Sequence, residues 1–400
     1  MQRQNRYLFK KYIAQASEFE PFSLDIERGE GIYLWDKAGK KYIDFISGIC
    51  VNNVGHRNPA VIEAIERQMR KYLHVMVYGE FIQQPQLDLA QELCQNLPEG
   101  LQKIFLLNSG SEAIEGAMKL ARLHNHRRQI VSFADSYHGS TMGAMSVLGN
   151  PPIRQRFDPL LPDHLLLEYN NVAQLEHITD KTCCVVAEVI QSGGGMREST
   201  PEFLQALRTR CDQTGALLIF DEIQSGFGRT GKLFAFEHYG VVPDILCLAK
   251  GMGGGMPIGA FVSSPELMAL LDNEHPLMGH ASTFGGHPLS CAASLAALKL
   301  VLSSQVLPKV EEKGQRIRHH LLQLPQVRSI SGKGLFLAAH FENESATAKV
   351  QERCMANGFI TFWLLFNHNA LALTPPLTAT MDEIDMGMEI FKQSVREAGI

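Results

Sequence analysis

The sequence predicts an α/β protein with a mainly parallel sheet covered by helices on both faces, and three observations carry that reading. Short apolar runs alternate with longer segments of helical period, the runs are nearly free of polar residues, and the pattern changes at both ends of the chain. A strand buried on both faces has no polar side to show, so it reads as an unbroken apolar run. IFLL at 104–107 opens the series, and SEAIEGAMKLARL follows with Ile114, Ala117, Met118 and Ala121 at helical spacing. IVSF at 130–133, CCVVAEVI at 183–190, LLIF at 217–220 and DILCL at 244–248 continue it. Ligands of such sheets gather beyond the C-terminal ends of the strands.

Before about residue 50 and after about residue 290 the alternation stops. GEGIYLWDKAGKKYIDF predicts a short hairpin, and the C-terminal part mixes helices with SGKGLFLAAHF. Both termini are expected to form one smaller α+β domain (1–50 with 291–400) beside a large domain of 51–290. At 400 residues, 45% hydrophobic and 20% charged, the composition is that of a globular protein. A net charge of -5 leaves no basic stripe, so neither nucleic acid nor an anionic membrane is an expected partner. MQRQNRYLFKKYIAQ lacks the apolar segment of a signal peptide, and no apolar run is long enough to span a bilayer, so a cytoplasmic location is expected. The eight cysteines lie mostly in apolar runs without C-x-x-C spacing; they read as buried free thiols, and no metal site is expected.

Four strand ends carry candidate chemistry. After FLL come Asn108, Ser109, Gly110 and Ser111 at the start of a helix, where free N–H groups and the helix dipole favour a phosphate; Ser109 or Ser111 is equally suited to be a plain N-cap. Asp221 ends the run LLIF, and because neighbouring strand residues face opposite ways, Asp221 and Glu222 cannot both face one site. A buried carboxylate needs donors, and a pairing with Arg229 competes with a functional role. Lys250, in CLAKGMGGGMPIGA, precedes its glycines, and Gly251 follows it, which excludes a P-loop. Burial at a strand end would lower its pKa and make it a nucleophile for a carbonyl; a lysine snorkelling to solvent is the alternative. SYHGST (136–141) places Tyr137 to stack on an aromatic ligand, and HASTFGGHPLS (280–290) places Thr283 to reach a phosphate, although packing and turn roles suit both. A phosphate cradle, a carboxylate, an aromatic stacker and an imine-forming lysine together make up the outfit of a pyridoxal phosphate site.

DEIQSGFGRTG, then PDILCLAKGMGGGMPIGA, then STFGGHPLSCAA resembles the class III (acetylornithine, ornithine and omega-amino acid) aminotransferases, over nearly the whole chain. The resemblance implies the type I pyridoxal-phosphate transferase fold and a homodimer with active sites at the subunit interface. It implies Lys250 as the Schiff-base lysine and proton carrier, Asp221 on the pyridinium nitrogen and Gln224 on the ring oxygen. It implies Ser109, Gly110 and Ser111 at the phosphate with Thr283 from the neighbouring subunit, and Tyr137 on the ring. The implied reaction moves an amino group from a terminal amine (acetylornithine or ornithine, omega-amino acid or diamine type) to a 2-oxo acid. An aminomutase on the same fold, or a cofactor-binding paralogue with little transaminase activity, are the alternatives.

Two departures bear on the substrate. Ser140 stands where many family members have the arginine of HGRT, and Ala372, in NALALTPPLT, stands where an arginine is expected before PPLT. Both usual carboxylate anchors are therefore absent, which leaves three explanations: another arginine has taken over, with Arg57, Arg154 and Arg156 as candidates; the substrate is an amine without the expected carboxylate; or efficient transamination has been lost. EVIQSGGG keeps Glu188, which in relatives often pairs with the second arginine; unpaired, it is expected to meet an amine at the far end of a substrate.

Overall fold

The computed structural model describes residues 2–14, 24–77, 79–272 and 280–400. Its centre is a seven-stranded sheet in the spatial order Lys103–Leu107, Gly259–Ser263, Ile245–Ala249, Leu217–Asp221, Thr182–Ala187, Gln129–Phe133 and His164–Leu167. Gly259–Ser263 runs antiparallel to both neighbours, and the other pairs are parallel. The apolar runs near 104, 130, 183, 217 and 244 all lie in this sheet.

Period-2 alternation distributes the strand side chains between two cores. Leu217, Ile219, Ile245 and Cys247 face the helix Gly110–Asn125, where they meet Ile114, Ala117 and Met118. Leu218, Phe220, Leu246 and Leu248 face the other way, onto Phe203, Leu204 and Leu207 of the helix Pro201–Thr214. That second core continues without a break into Ile43, Phe45, Leu371 and Val395 from the two ends of the chain.

The termini meet in a four-stranded sheet: Ile26–Glu30, Tyr33–Asp36 and Lys41–Asp44 form a meander, and Phe359–Ile360 adds parallel to the last of these. The expected hairpin is thus three strands. IERGE carries one apolar residue and is mostly exposed, so it has no alternation to read. A further sheet joins Ser329–Lys333, Phe336–His340, Ala370–Leu373 and Phe362–Trp363. Among the described residues no single helix is long and apolar enough to cross a membrane.

Candidate active site

Ser109, Gly110, Ser111, Tyr137, Asp221, Gln224 and Lys250 line one cleft of about 470 Å³ at the C-terminal ends of the strands, together with Glu188. Thr283 stands outside this cleft, exposed on the loop after the sheet beside the exposed Phe284.

Asp221 shares the face of Leu217 and Ile219 and so turns toward the helix Gly110–Asn125. Its Oδ1 accepts from Ile223 N at 3.0 Å, and its Oδ2 accepts from His138 Nδ1 at 2.7 Å. A carboxylate can only accept, so the proton sits on Nδ1 of that histidine. His138 Nε2 is buried with no hydrogen-bond partner among the described residues. The competing pairing of Asp221 with Arg229 does not occur. Arg229 is fully buried and donates to the carbonyls of Leu335 at 3.1 Å and Pro375 at 2.5 Å, and to Asn53 Oδ1. Glu222 faces away, accepting from Ala235 N and Phe236 N, each at 2.7 Å; burial pushes its pKa up to about 7.

Lys250 follows the strand Ile245–Ala249 in a left-handed conformation (φ 47°), unusual for a residue with a Cβ. The chain turns behind it because Gly251 has no side chain: a Cβ there would run into the amide of Asn53. Its Nζ points into the cleft and donates to Gln224 Oε1 at 3.1 Å, so it does not snorkel to solvent. Burial lowers its pKa, opposed by the nearby carboxyl groups of Asp221 and Glu188. The result favours a neutral, nucleophilic amine more than an exposed lysine would.

At the start of the helix Gly110–Asn125 the capping reading is observed, and it leaves N–H groups free for a ligand. Ser109 is the N-cap, its Oγ accepting from Glu112 N at 3.3 Å, while Glu112 accepts from Asn108 N at 2.7 Å. Gly110 and Ser111 follow with first-turn N–H groups that have no intrahelical acceptor. Gly110 is needed for room, since a Cβ would come within 2.7 Å of Ile223. Gly139 (φ 128°) lies so close to Ser111 that a Cβ would collide with its hydroxyl. Tyr137 Oη and Ser140 Oγ are 2.9 Å apart. These groups suit a flat, phosphate-bearing aldehyde: an anion cradle, a neutral-leaning amine, and a carboxylate backed by a histidine with an orphaned nitrogen.

Glu188 lines the same cleft. It is not without partners: Oε1 accepts from Ser192 N at 3.1 Å and Ser192 Oγ at 3.2 Å, and Oε2 from Tyr137 N at 3.3 Å. What it lacks, among the described residues, is a cationic partner. None of the three candidate arginines lines the cleft: Arg57 and Arg156 are exposed elsewhere, and Arg154 contacts His164. Ala372 is buried among Cys50, Ile190, Phe336, Ala338 and Leu364, an apolar setting. The sequence reading missed His138 and Ser192. For His138 a signal existed, because a buried strand-end carboxylate demands a donor and SYHGST follows a strand of the same sheet.

A covered, mainly parallel sheet with an amine, a carboxylate and an anion cradle at its strand ends defines the type I fold of pyridoxal-phosphate transferases. Residues 14–395 match the family model described as Aminotransferase class-III, and the chain belongs to that family of enzymes. It is 39% identical to an acetylornithine aminotransferase of Caldanaerobacter subterraneus subsp. tengcongensis over 402 residues, covering 97% of this chain and 98% of that one. It is also 39% identical to a [LysW]-aminoadipate semialdehyde/glutamate semialdehyde transaminase of Sulfurisphaera tokodaii, covering 81% of this chain and 84% of that one. The ornithine aminotransferase structure from Toxoplasma gondii superposes with a TM-score of 0.92 at 27% identity, covering 100% of this chain and 96% of that one.

Proposed function

We propose that this class III aminotransferase uses pyridoxal 5'-phosphate, bonded through Lys250, to move an amino group from a terminal amine to a 2-oxo acid. The observation that carries the reading is the Lys250 amine turned into the cleft against Gln224, with burial lowering its pKa. The names of the relatives, acetylornithine and ornithine aminotransferases among them, support a donor of terminal-amine type. When bound, the cofactor supplies an aldehyde that condenses with amines and a ring that accepts an electron pair from the substrate carbon.

This chain's residues supply the rest of the reading. Lys250 would hold the cofactor through its amine and, when that amine is free, would carry the proton that leaves the substrate carbon. Asp221, backed by His138, would hold the ring nitrogen protonated, and Gln224 would hold the ring oxygen. Ser109, Gly110 and Ser111 take the phosphate, and Tyr137 covers the ring. Thr283 completes the phosphate site of a second copy in a homodimer, supported by the exposed Leu73, Phe81, Ile82 and Phe284 on the face that carries its loop. The same reading divides the chain into a cofactor-binding domain of 51–290 and a small domain of 1–50 with 291–400, supported by the pairing of Phe359–Ile360 with Lys41–Asp44. It also places the enzyme in the cytoplasm.

The test is chemical trapping. Borohydride reduction of the cofactor-loaded protein should attach the pyridoxyl mass to the peptide bearing Lys250. Lys250→Ala should lose both the label and turnover, the latter by on the order of 10⁴-fold. A label on another residue, or none, sinks the reading; turnover without any oxo acid would instead mark an aminomutase.

A further inference from the structure

Ser47, Gly48, Ile49 and Cys50 form a left-handed turn, with φ of 54°, 60°, 61° and 60°. The three that carry a Cβ resist this conformation, so the surrounding bonds must hold it. Asp44, only 2% exposed, supplies most of them. Its Oδ1 accepts from Ile46 N at 2.8 Å and Ser47 N at 3.0 Å, and its Oδ2 accepts from His56 Nε2 at 2.8 Å. Ser47 Oγ donates to the carbonyl of Thr374 at 2.7 Å, and Thr374 N donates to that of Phe45 at 2.7 Å, which ties the turn to the end of the strand Ala370–Leu373. Val51 N and Asn52 N close the turn, each donating to Ser47 O at 2.8 Å.

The turn delivers four consecutive residues to the surroundings of Lys250. Cys50 Sγ accepts from Gln224 Nε2 at 3.8 Å, and Val51 lines the cleft. Asn52 and Asn53 stand so close to Gly255 and Gly251 that a Cβ on either glycine would crowd their amides. Gln224 Oε1 in turn faces the Lys250 amine. A carboxamide nitrogen has two N–H donors, so with one on Cys50 the other is available to the ring oxygen of the cofactor. We infer that Asp44, acting through this left-handed turn, is a positioning residue for Gln224, fixing the amide that meets the ring oxygen. The inference rests on the cofactor reading above, and Asp44 itself lies outside the residues that line the cleft.

Strain makes the arrangement sensitive to its clamp. Without the two bonds to Asp44 Oδ1, the turn relaxes toward negative φ, which draws Cys50 off the amide and shifts the cleft wall at Val51. The coupling also runs in the other direction. A turn that favours cofactor binding must itself be stabilised by the cofactor, by the same factor.

The experiment reads the turn and the cofactor separately. Amide hydrogen exchange of the peptide spanning 45–53 reports the turn, and the pH midpoint of the bound cofactor's visible band reports the hydrogen bond to its ring oxygen. In Asp44→Ala the peptide should exchange at least about 10-fold faster. The midpoint should rise by about half to one pH unit, because an oxygen that loses a donor leaves the neighbouring proton bound to higher pH. Asp221, His138, Glu188 and Lys250, the titratable groups of the cleft apart from Tyr137, are the same in both proteins. Asp44→Asn keeps an acceptor in the same place, so it should restore most of both readings. Cofactor added to the wild type should slow the exchange by about 5- to 10-fold. Should Asp44→Ala not fold, Ser47→Ala, which removes the bond to Thr374, should move both readings the same way by about half as much. Unchanged exchange, faster exchange with the wild-type midpoint, or Asp44→Asn matching Asp44→Ala overturns the inference while leaving the transaminase in place. A wild-type protein that gains no visible band on loading overturns the transaminase reading itself.

Discussion

Around Asp221 and Lys250 the charged side chains already have hydrogen-bond partners: His138 on Asp221 and Gln224 on Lys250. Glu188 accepts hydrogen bonds only from neutral donors, and Ala372 lies in an apolar cluster with Cys50, Ile190 and Phe336. In the proposed reading the first end holds one cofactor and tolerates little change. The second holds Glu188 by three neutral donors, and neither Ser140 nor Ala372 adds a charge. Substitutions at the two ends should therefore differ in kind as well as in size.

The largest effect after loss of Lys250 is expected at Asp221. Asn fits the same space, yet it offers no charge to a protonated ring nitrogen and leaves His138 facing an amide. Asp221→Asn should slow the half-reaction by about 10²- to 10³-fold for every donor alike, as rapid-mixing absorbance would show. A loss under about threefold would mean that the carboxylate is structural and the contrast between the ends is false. Next comes Gly139→Ala. Its Cβ would collide with the Ser111 hydroxyl, and φ 128° is a conformation that alanine resists. Cofactor affinity should fall by about 100-fold in fluorescence titration while the thermal midpoint of the cofactor-free protein moves little.

Much of the cofactor end was legible because it depends on local rules. Unbroken apolar runs placed the strands, the two-residue period separated Asp221 from Glu222, and the order of Lys250 and its glycines excluded a P-loop. His164–Leu167 and Gly259–Ser263 escaped notice: the first is short and the second hides behind a glycine and proline cluster that reads as a turn. Other features are not local at all. Ser47, Gly48, Ile49 and Cys50 run consecutively through the left-handed region (φ 54°, 60°, 61° and 60°), at a cost of about 1–2 kcal/mol for each residue with a Cβ. Nothing in SGIC announces this, because only one of the four is glycine. The turn brings Cys50 Sγ within 3.8 Å of Gln224 Nε2, at the back of the lysine's partner. The bond from His138 to Asp221 and that from Arg229 to Asn53 likewise join residues 83 and 176 positions apart. Motif reading picked out most of the polar residues that line the cleft, but only the packed sheet supplied these pairings.

The smallest of the expected effects sharpens the contrast most. Ser140 is exposed at the cleft and exchanges a hydrogen bond with Tyr137 Oη, so a long side chain there displaces little. Ser140→Arg would return a guanidinium to the substrate end, where a carboxylate can take two parallel hydrogen bonds from it. Because the guanidinium stays partly solvated, its worth is about 1 kcal/mol and not the several of a buried pair. Relative to putrescine, γ-aminobutyrate and L-glutamate should gain about 5- to 10-fold in rate over KM, measured donor by donor through the cofactor spectrum. Cofactor affinity should change by less than about threefold, since Ser111 and Gly110 keep their places. If instead the arginine lowered all donors equally, position 140 would lie apart from the substrate's carboxylate, and the contrast between the two ends would not extend to it.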